Sequence, residues 1–255
     1  MPVTEKLRLS RALLLFSFPA LALLLSSDAN AGTVKGKVVG FEHLLNPVWH
    51  EAKAANAHGY NFREPSPTVS AELRRLFPYI PKELCVAVLA ASDQPKMKPV
   101  DVLVGGGRTT PVTLVVTPGT ELRFKNTDPF AHRLYGVDVK SFGPSDMSKG
   151  ADRVWTVPEA GVYEIKDELI PSVRMWVVSE PKAVTFAFPD LNGQFQLDVA
   201  AVGDLQVQPY FAGKAVGKPL VAPLGSETAV VDLSKAPIVV GTKATATKDD
   251  NEKAD

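Results

Sequence analysis

The chain has 255 residues with 28 basic and 28 acidic side chains, so its formal charge is zero, and 45% of its residues are apolar. That balance excludes a nucleic-acid binder built on a basic field, and the apolar share is that of a packed globular protein. A single cysteine, Cys85, excludes an internal disulfide and leaves stability to the core.

Residues 1–31 carry the three parts of a secretory signal. Lys6, Arg8 and Arg11 form the basic start, Ala12 to Leu25 the apolar run, and Ala29-Asn30-Ala31 the small-x-small cleavage pattern, with Gly32 opening the mature chain. The apolar run is interrupted by Pro19 and is short for a membrane span. No cysteine follows it for lipid attachment. Cleavage removes three bases and two acids, leaving a net charge of minus one on roughly 220 residues, enough for one large or two small domains. The expected location is periplasmic or secreted, with no nucleic acid bound and no membrane span after cleavage.

Thr33 to Val39 alternates as a first strand. Asn46-Pro47 then reads as a helix start, with Val48, Trp49, Ala52 and Ala55 at helical spacing up to Gly59. Ser66-Pro67 repeats the signal, with Val69, Leu73, Leu76 and Phe77 on one face before Pro78. A two-helix insertion is therefore expected at about 46–82. It holds His50 and His58, and His43 stands just before it. Eight residues of helix separate His50 from His58 by about 12 Å, too far to share one small metal ion. Structural or solvated histidines are the favoured reading.

Leu84 to Ala90 and Pro99 to Val104 read as strands, and Cys85 on the first as a small buried hydrophobe. Gly105-Gly106-Gly107-Arg108 lacks a helix behind it and so reads as a hairpin loop, not a phosphate cradle. Val112 to Val116 and Glu121 to Asn126 both alternate, and Thr117-Pro118-Gly119-Thr120 between them makes the pair read as a β-hairpin. A loop follows, Asp128-Pro129-Phe130-Ala131-His132. Later come Trp155, Pro158-Glu159-Ala160-Gly161, the strand Val162 to Ile165, a short loop from Lys166 to Val173 and a last strand to Val178.

From Pro111 to Ser179 this order resembles the plastocyanin-type cupredoxins, most of all the periplasmic proteins of methylamine utilisation. Their pattern runs strand, P-x-G-T, strand ending N-x-D-P, first histidine ligand, long loop, P-G-x-Y-like corner, then C-x-x-H-P-x-M before the final strand. The resemblance implies an all-β fold, a Greek-key β-sandwich, and places His132 at the first ligand position. Anchored on Pro171, it puts Asp167 at the cysteine, Ile170 at the second histidine and Val173 at the methionine. A blue-copper centre needs a thiolate and two imidazoles, so these substitutions imply a copper-free domain with no metal expected. His132 reads as a structural histidine, with a residual weak site involving Asp128 or Asp167 as the alternative. Leu169, Ile170, Val173 and Met175 make this end apolar, a candidate contact surface with Trp49, His132 and Pro171.

Ser141, Ser145 and Ser148 lie near Asp138, Asp146 and His132 in sequence, but no nucleophile-elbow motif supports catalysis. Beyond Glu180, the strand Val184 to Phe188, the turn Pro189 to Gly193 and the strand Gln194 to Leu197 precede Gly203-Asp204 and Leu205 to Gln208. The string D-x-x-G-x-F-x-L followed by G-x-L-x-V resembles the carboxypeptidase regulatory-like domain, which implies a small, non-catalytic, transthyretin-like β-module. Either Gly36 to Val39 completes that module or its strands extend the cupredoxin sheet. Strands at Ala229 to Leu233 and Ile238 to Val240 close the fold, and 242–255, which has no large hydrophobe, is expected to be disordered.

The expected organisation is thus a signal at 1–31, a cupredoxin-like domain at 32–179, a C-terminal β-module at 180–241 and a tail. The expected function is that of a non-enzymatic envelope protein that binds or assembles with an envelope protein or cell-wall polymer, without a cofactor. Two alternatives are a copper-binding electron-transfer protein and a carbohydrate-binding protein using Trp49, Tyr60, Phe62, Phe77 and Tyr79.

Overall fold

The computed structural model describes residues 32–45, 47, 78–199, 204–222 and 228–234. Trp49, His50, His58, the two expected helices, the signal, the expected strand at 238–240 and the tail lie outside them. The described chain is all-β. Its strands are β1 (Gly32–Val39), β2 (Leu84–Leu89), β3 (Val100–Gly105), β4 (Arg108–Thr110), β5 (Thr113–Val116) and β6 (Glu121–Asn126). Next come β7 (His132–Gly136), β8 (Ser145–Met147), β9 (Asp152–Thr156), β10 (Gly161–Asp167) and β11 (Arg174–Ser179). The last six are β12 (Ala183–Ala187), β13 (Gln194–Val199), β14 (Gln206–Phe211), β15 (Lys214–Ala215), β16 (Leu220–Val221) and β17 (Thr228–Asp232).

Four sheets form two sandwiches. In the first, a sheet of order β4-β3-β6-β9 packs on a sheet of order β5-β11-β10-β7-β8. Each contains one parallel pair, β3 with β6 and β5 with β11. Its core takes Phe124 and Trp155 from one sheet and Leu134, Ile165 and Met175 from the other. The second sandwich packs β13-β1-β17 on β12-β2-β14-β15, with β16 on β14. There Val34, Val38 and Leu197 meet Leu84, Val86 and Val207.

Strand pairing divides the chain differently from a cut at 179/180. β1 lies between β13 and β17, and β2 lies between β12 and β14. The second sandwich is thus built from both ends of the chain, and residues 100–179 form the first without a break.

The two sandwiches share a third apolar cluster of Cys85, Ala87, Ala183 and Tyr210 against Val115 and Val178. This explains why β2 is apolar at every position. Leu84, Val86 and Val88 face one core while Cys85 and Ala87 face the joint, so a strand covered on both sides has no reason to alternate. The joint is also hydrogen-bonded, from Ala212 N to Thr113 Oγ1 at 3.0 Å and from Val112 N to Lys82 O at 2.8 Å. Burial pushes the Cys85 thiol up to about 12, against an opposing hydrogen bond with the Val115 backbone, as expected for a small core residue.

The hairpin expected at 112–126 does not form. β5 pairs with β11 and β6 with β3 and β9, so the turn at Thr117 to Thr120 carries the chain from one sheet to the other. Both strands still send their alternating apolar residues into one core, Leu114 and Val116 from one side and Leu122 and Phe124 from the other. Alternation reports which face is buried, not which strand is the neighbour.

Candidate functional site

One end of the first sandwich gathers three loops around His132. The loop 126–132 is shaped by Asn126, a buried side chain that ends β6. Its Nδ2 donates to Phe130 O at 2.8 Å and Met147 O at 2.9 Å, and its Oδ1 accepts from Asp128 N at 2.8 Å. An asparagine can satisfy both sides of such a bend because it offers donors and an acceptor. Thr127 then donates from its N and Oγ1 to Val104 O, which fixes the loop against β3.

The second loop is the β3–β4 hairpin, whose two central residues, Gly106 and Gly107, have φ of 62° and 73°. Both values require the left-handed conformation that glycine adopts without strain. Gly106 N donates to the Asp128 carboxylate at 3.0 Å, and Gly107 O accepts from Ser172 Oγ at 3.0 Å. The hairpin is held from both sides.

The third loop follows β10. Asp167 Oδ1 accepts from Arg133 N at 3.2 Å, Leu169 N at 2.7 Å and Ile170 N at 3.2 Å. Its Oδ2 lies 2.6 Å from His132 Nδ1, and both side chains have no solvent exposure. The opposite ring nitrogen, Nε2, lies 3.2 Å from Asp128 Oδ2. His132 is therefore a bridge between two carboxylates.

The sequence placed His132 in a contact surface, and the structure corrects this. The ring is buried, and Phe130 stands at 5.5 Å from it, centroid to centroid. The surface itself consists of Phe130 and Leu169, each 49% exposed, with exposed Pro171 and half-buried Ile170 beside them. Val173 faces inward, in the sandwich core. Trp49 lies outside the described residues.

The donors do not fit copper. Both imidazole nitrogens already face carboxylate oxygens, on opposite edges of the ring, so Asp128 and Asp167 do not converge with a free lone pair on one point. Cys85, the chain's one thiol, is buried in the joint between the sandwiches. Among the described residues no group of three or more His, Cys, Asp or Glu side chains is placed to hold a metal ion. The long loop's Ser141 and Asp146 are engaged with partners other than His132. Ser141 Oγ accepts from Trp155 Nε1 at 3.4 Å, and Asp146 pairs with Arg133 at 2.6 Å. That pairing holds the Asp146 carboxyl below its ordinary value.

Reading the sequence alone missed Gly106 and Ser172 as parts of this end. A two-glycine turn between strands was the available signal for the first; nothing local marks the second. No helix among the described residues is long and apolar enough to cross a membrane.

No protein-family model matches the chain, and no curated protein matches it. Among solved structures it is similar to a purple cupredoxin from Nitrosopumilus maritimus, at 20% identity and a TM-score of 0.29, over 32% of this chain and 99% of that one. A reduced amicyanin variant is similar at 19% identity and a TM-score of 0.29, over 37% of this chain and 99% of that one. A copper-containing nitrite reductase from Thermus scotoductus SA-01 is similar at 21% identity and a TM-score of 0.30, over 37% of this chain and 25% of that one. At these scores the likeness carries no argument about the site, and the sandwich stands on its own strand pairing.

Proposed function

We propose that the protein is an exported, non-enzymatic envelope component, a cupredoxin-like scaffold without copper that presents one end of its first sandwich to a partner. The observation that carries this reading is the engagement of His132 at both ring nitrogens by Asp128 and Asp167. Where the resemblance puts a first imidazole and a thiolate, the chain has an imidazole and a hard carboxylate in contact. Ile170 and Val173 add no ligand. Such a set does not supply the soft, trigonal donors of a blue-copper centre.

The same end presents Phe130 and Leu169 half-exposed beside Pro171. Apolar side chains on a braced loop cluster suit contact with a protein better than with a hydrated polymer. The export reading rests on the signal-like residues 1–31. The second sandwich serves as a rigid support, bonded to the first through Thr113 and Val112.

Site-specific cross-linking tests this reading. A photoreactive residue at position 130 or 169, in the protein expressed in its own host, is expected to give one discrete adduct with an envelope protein. The same group at Val230, exposed on the other sandwich, is expected not to. The chain recovered is expected to begin at Gly32. Equal labelling from all three positions, or a full-length chain in the cytoplasm, contradicts the proposal.

A further inference from the structure

We infer that the Asp128–His132–Asp167 cluster holds a buried imidazolium, so that a trapped proton clips the three loops together at the end where the resemblance would put a metal ion. The inference is independent of what binds at the surface. It begins with the inventory of donors. An ionised carboxylate only accepts, and a neutral imidazole has one N–H and one bare lone pair. Here a carboxylate oxygen lies 2.6 Å from one ring nitrogen and 3.2 Å from the other. Beside two ionised carboxylates, a neutral ring would set a lone pair against an oxygen lone pair on one edge, at zero exposure of the ring to water. A ring protonated on both nitrogens donates twice and leaves neither edge opposed.

The backbone completes the arrangement. Asp167 Oδ1 already collects three N–H groups, which leaves its Oδ2 to face the ring, while Asp128 shares the Gly106 N–H between its two oxygens and turns Oδ2 toward the ring as well. Charged neighbours on the surrounding elements are engaged elsewhere. Arg133, next to His132 on β7, pairs with Asp146 of β8 and Glu168 of the third loop, and Lys166 of β10 pairs with Glu164. Arg108 of the β3–β4 hairpin is exposed. A fully buried carboxylate, Asp167, and a largely covered one, Asp128, thus flank one buried cation, and a charge removed from water is tolerated when it is paired in this way.

Nitrogen-15 NMR of the full mature chain, labelled on histidine, tests the inference at neutral pH. With four histidines in the sequence, His132→Asn identifies the ring by the signals it removes. Asp128→Asn identifies it without removing the ring, should the first variant fail to fold, by moving the Nε2 resonance more than that of Nδ1. The expected result is two ring N–H protons on His132, both slow to exchange, where a neutral histidine shows one. A single ring N–H with one unprotonated nitrogen overturns the inference.

Discussion

Asp167 Oδ2 stands 2.6 Å from His132 Nδ1, with both side chains shut off from water, although 35 residues separate them in sequence. The contact joins the start of β7 to the end of β10 and fixes the loops on either side. Removing the carboxylate strands the ring nitrogen and three backbone N–H groups. Asp167→Ala is therefore expected to lower unfolding free energy by about 3–5 kcal/mol, the range for breaking a buried pair. Asp128, whose side chain keeps 14% exposure, is expected to cost about 1.5–3 kcal/mol when changed to Ala. Urea denaturation of the two variants checks the order.

Glycines at positive φ separate strain from crowding. Gly193 has φ of 80°, and a Cβ there would collide with the Val38 carbonyl oxygen. Gly150, at φ of 72°, has nothing within 4 Å of the same position. Gly150→Ala is expected to cost about 1–2 kcal/mol from the left-handed backbone alone. Gly193→Ala is expected to cost more, because the β12–β13 connection must also move off β1. Thermal unfolding of both variants measures the difference.

The joint between the sandwiches is expected to weaken in alkali. Burial raises the Cys85 thiol from 9.0 to about 12 and the Tyr210 hydroxyl from 10.0 to about 12. A group whose folded value is raised stabilises the fold fully below its unfolded value and loses that contribution as pH climbs toward the folded one. Stability is thus expected to fall from about pH 9 upward, and Cys85→Ala with Tyr210→Phe to flatten the fall. In the native protein Cys85 is expected to resist thiol reagents at pH 8 and to react on unfolding. Equal reactivity in both states would contradict the packing described.

The register of the ligand positions can be tested by restoring them. Asp167→Cys, Ile170→His and Val173→Met together would place a thiolate beside His132 Nδ1, with an imidazole and a thioether following on the same loop. The triple variant is expected to take up Cu(II) and develop an intense thiolate-to-copper absorption. Absence of that band in a folded triple variant would count against the alignment of Asp167 with the cysteine position.

Much of the fold was legible because burial leaves a pattern. The alternation in β1 and β6 identifies strands with one face to a core, and the unbroken apolar run of β2 identifies a strand covered on both. Which strand lies beside which was not legible. The turn at Thr117 to Thr120 has the composition of a hairpin, yet its threonines are buried where the chain changes sheets, and Thr117 Oγ1 accepts from Met97 N at 2.8 Å. That partner lies 20 residues back and leaves no local trace. The site was half legible. His132 and Asp167 could be paired through the resemblance, but the burial of the ring and the bond from Gly106 to Asp128 depend on three loops meeting in space.

Copper binding to the mature protein is the most direct test of the central claim, that carboxylates close this end where a metal would otherwise sit. Equilibrium dialysis against Cu(II), followed by metal analysis and a visible spectrum, is expected to show no copper bound at His132 and no thiolate-to-copper band. One copper per chain, lost on His132→Asn, would contradict the account.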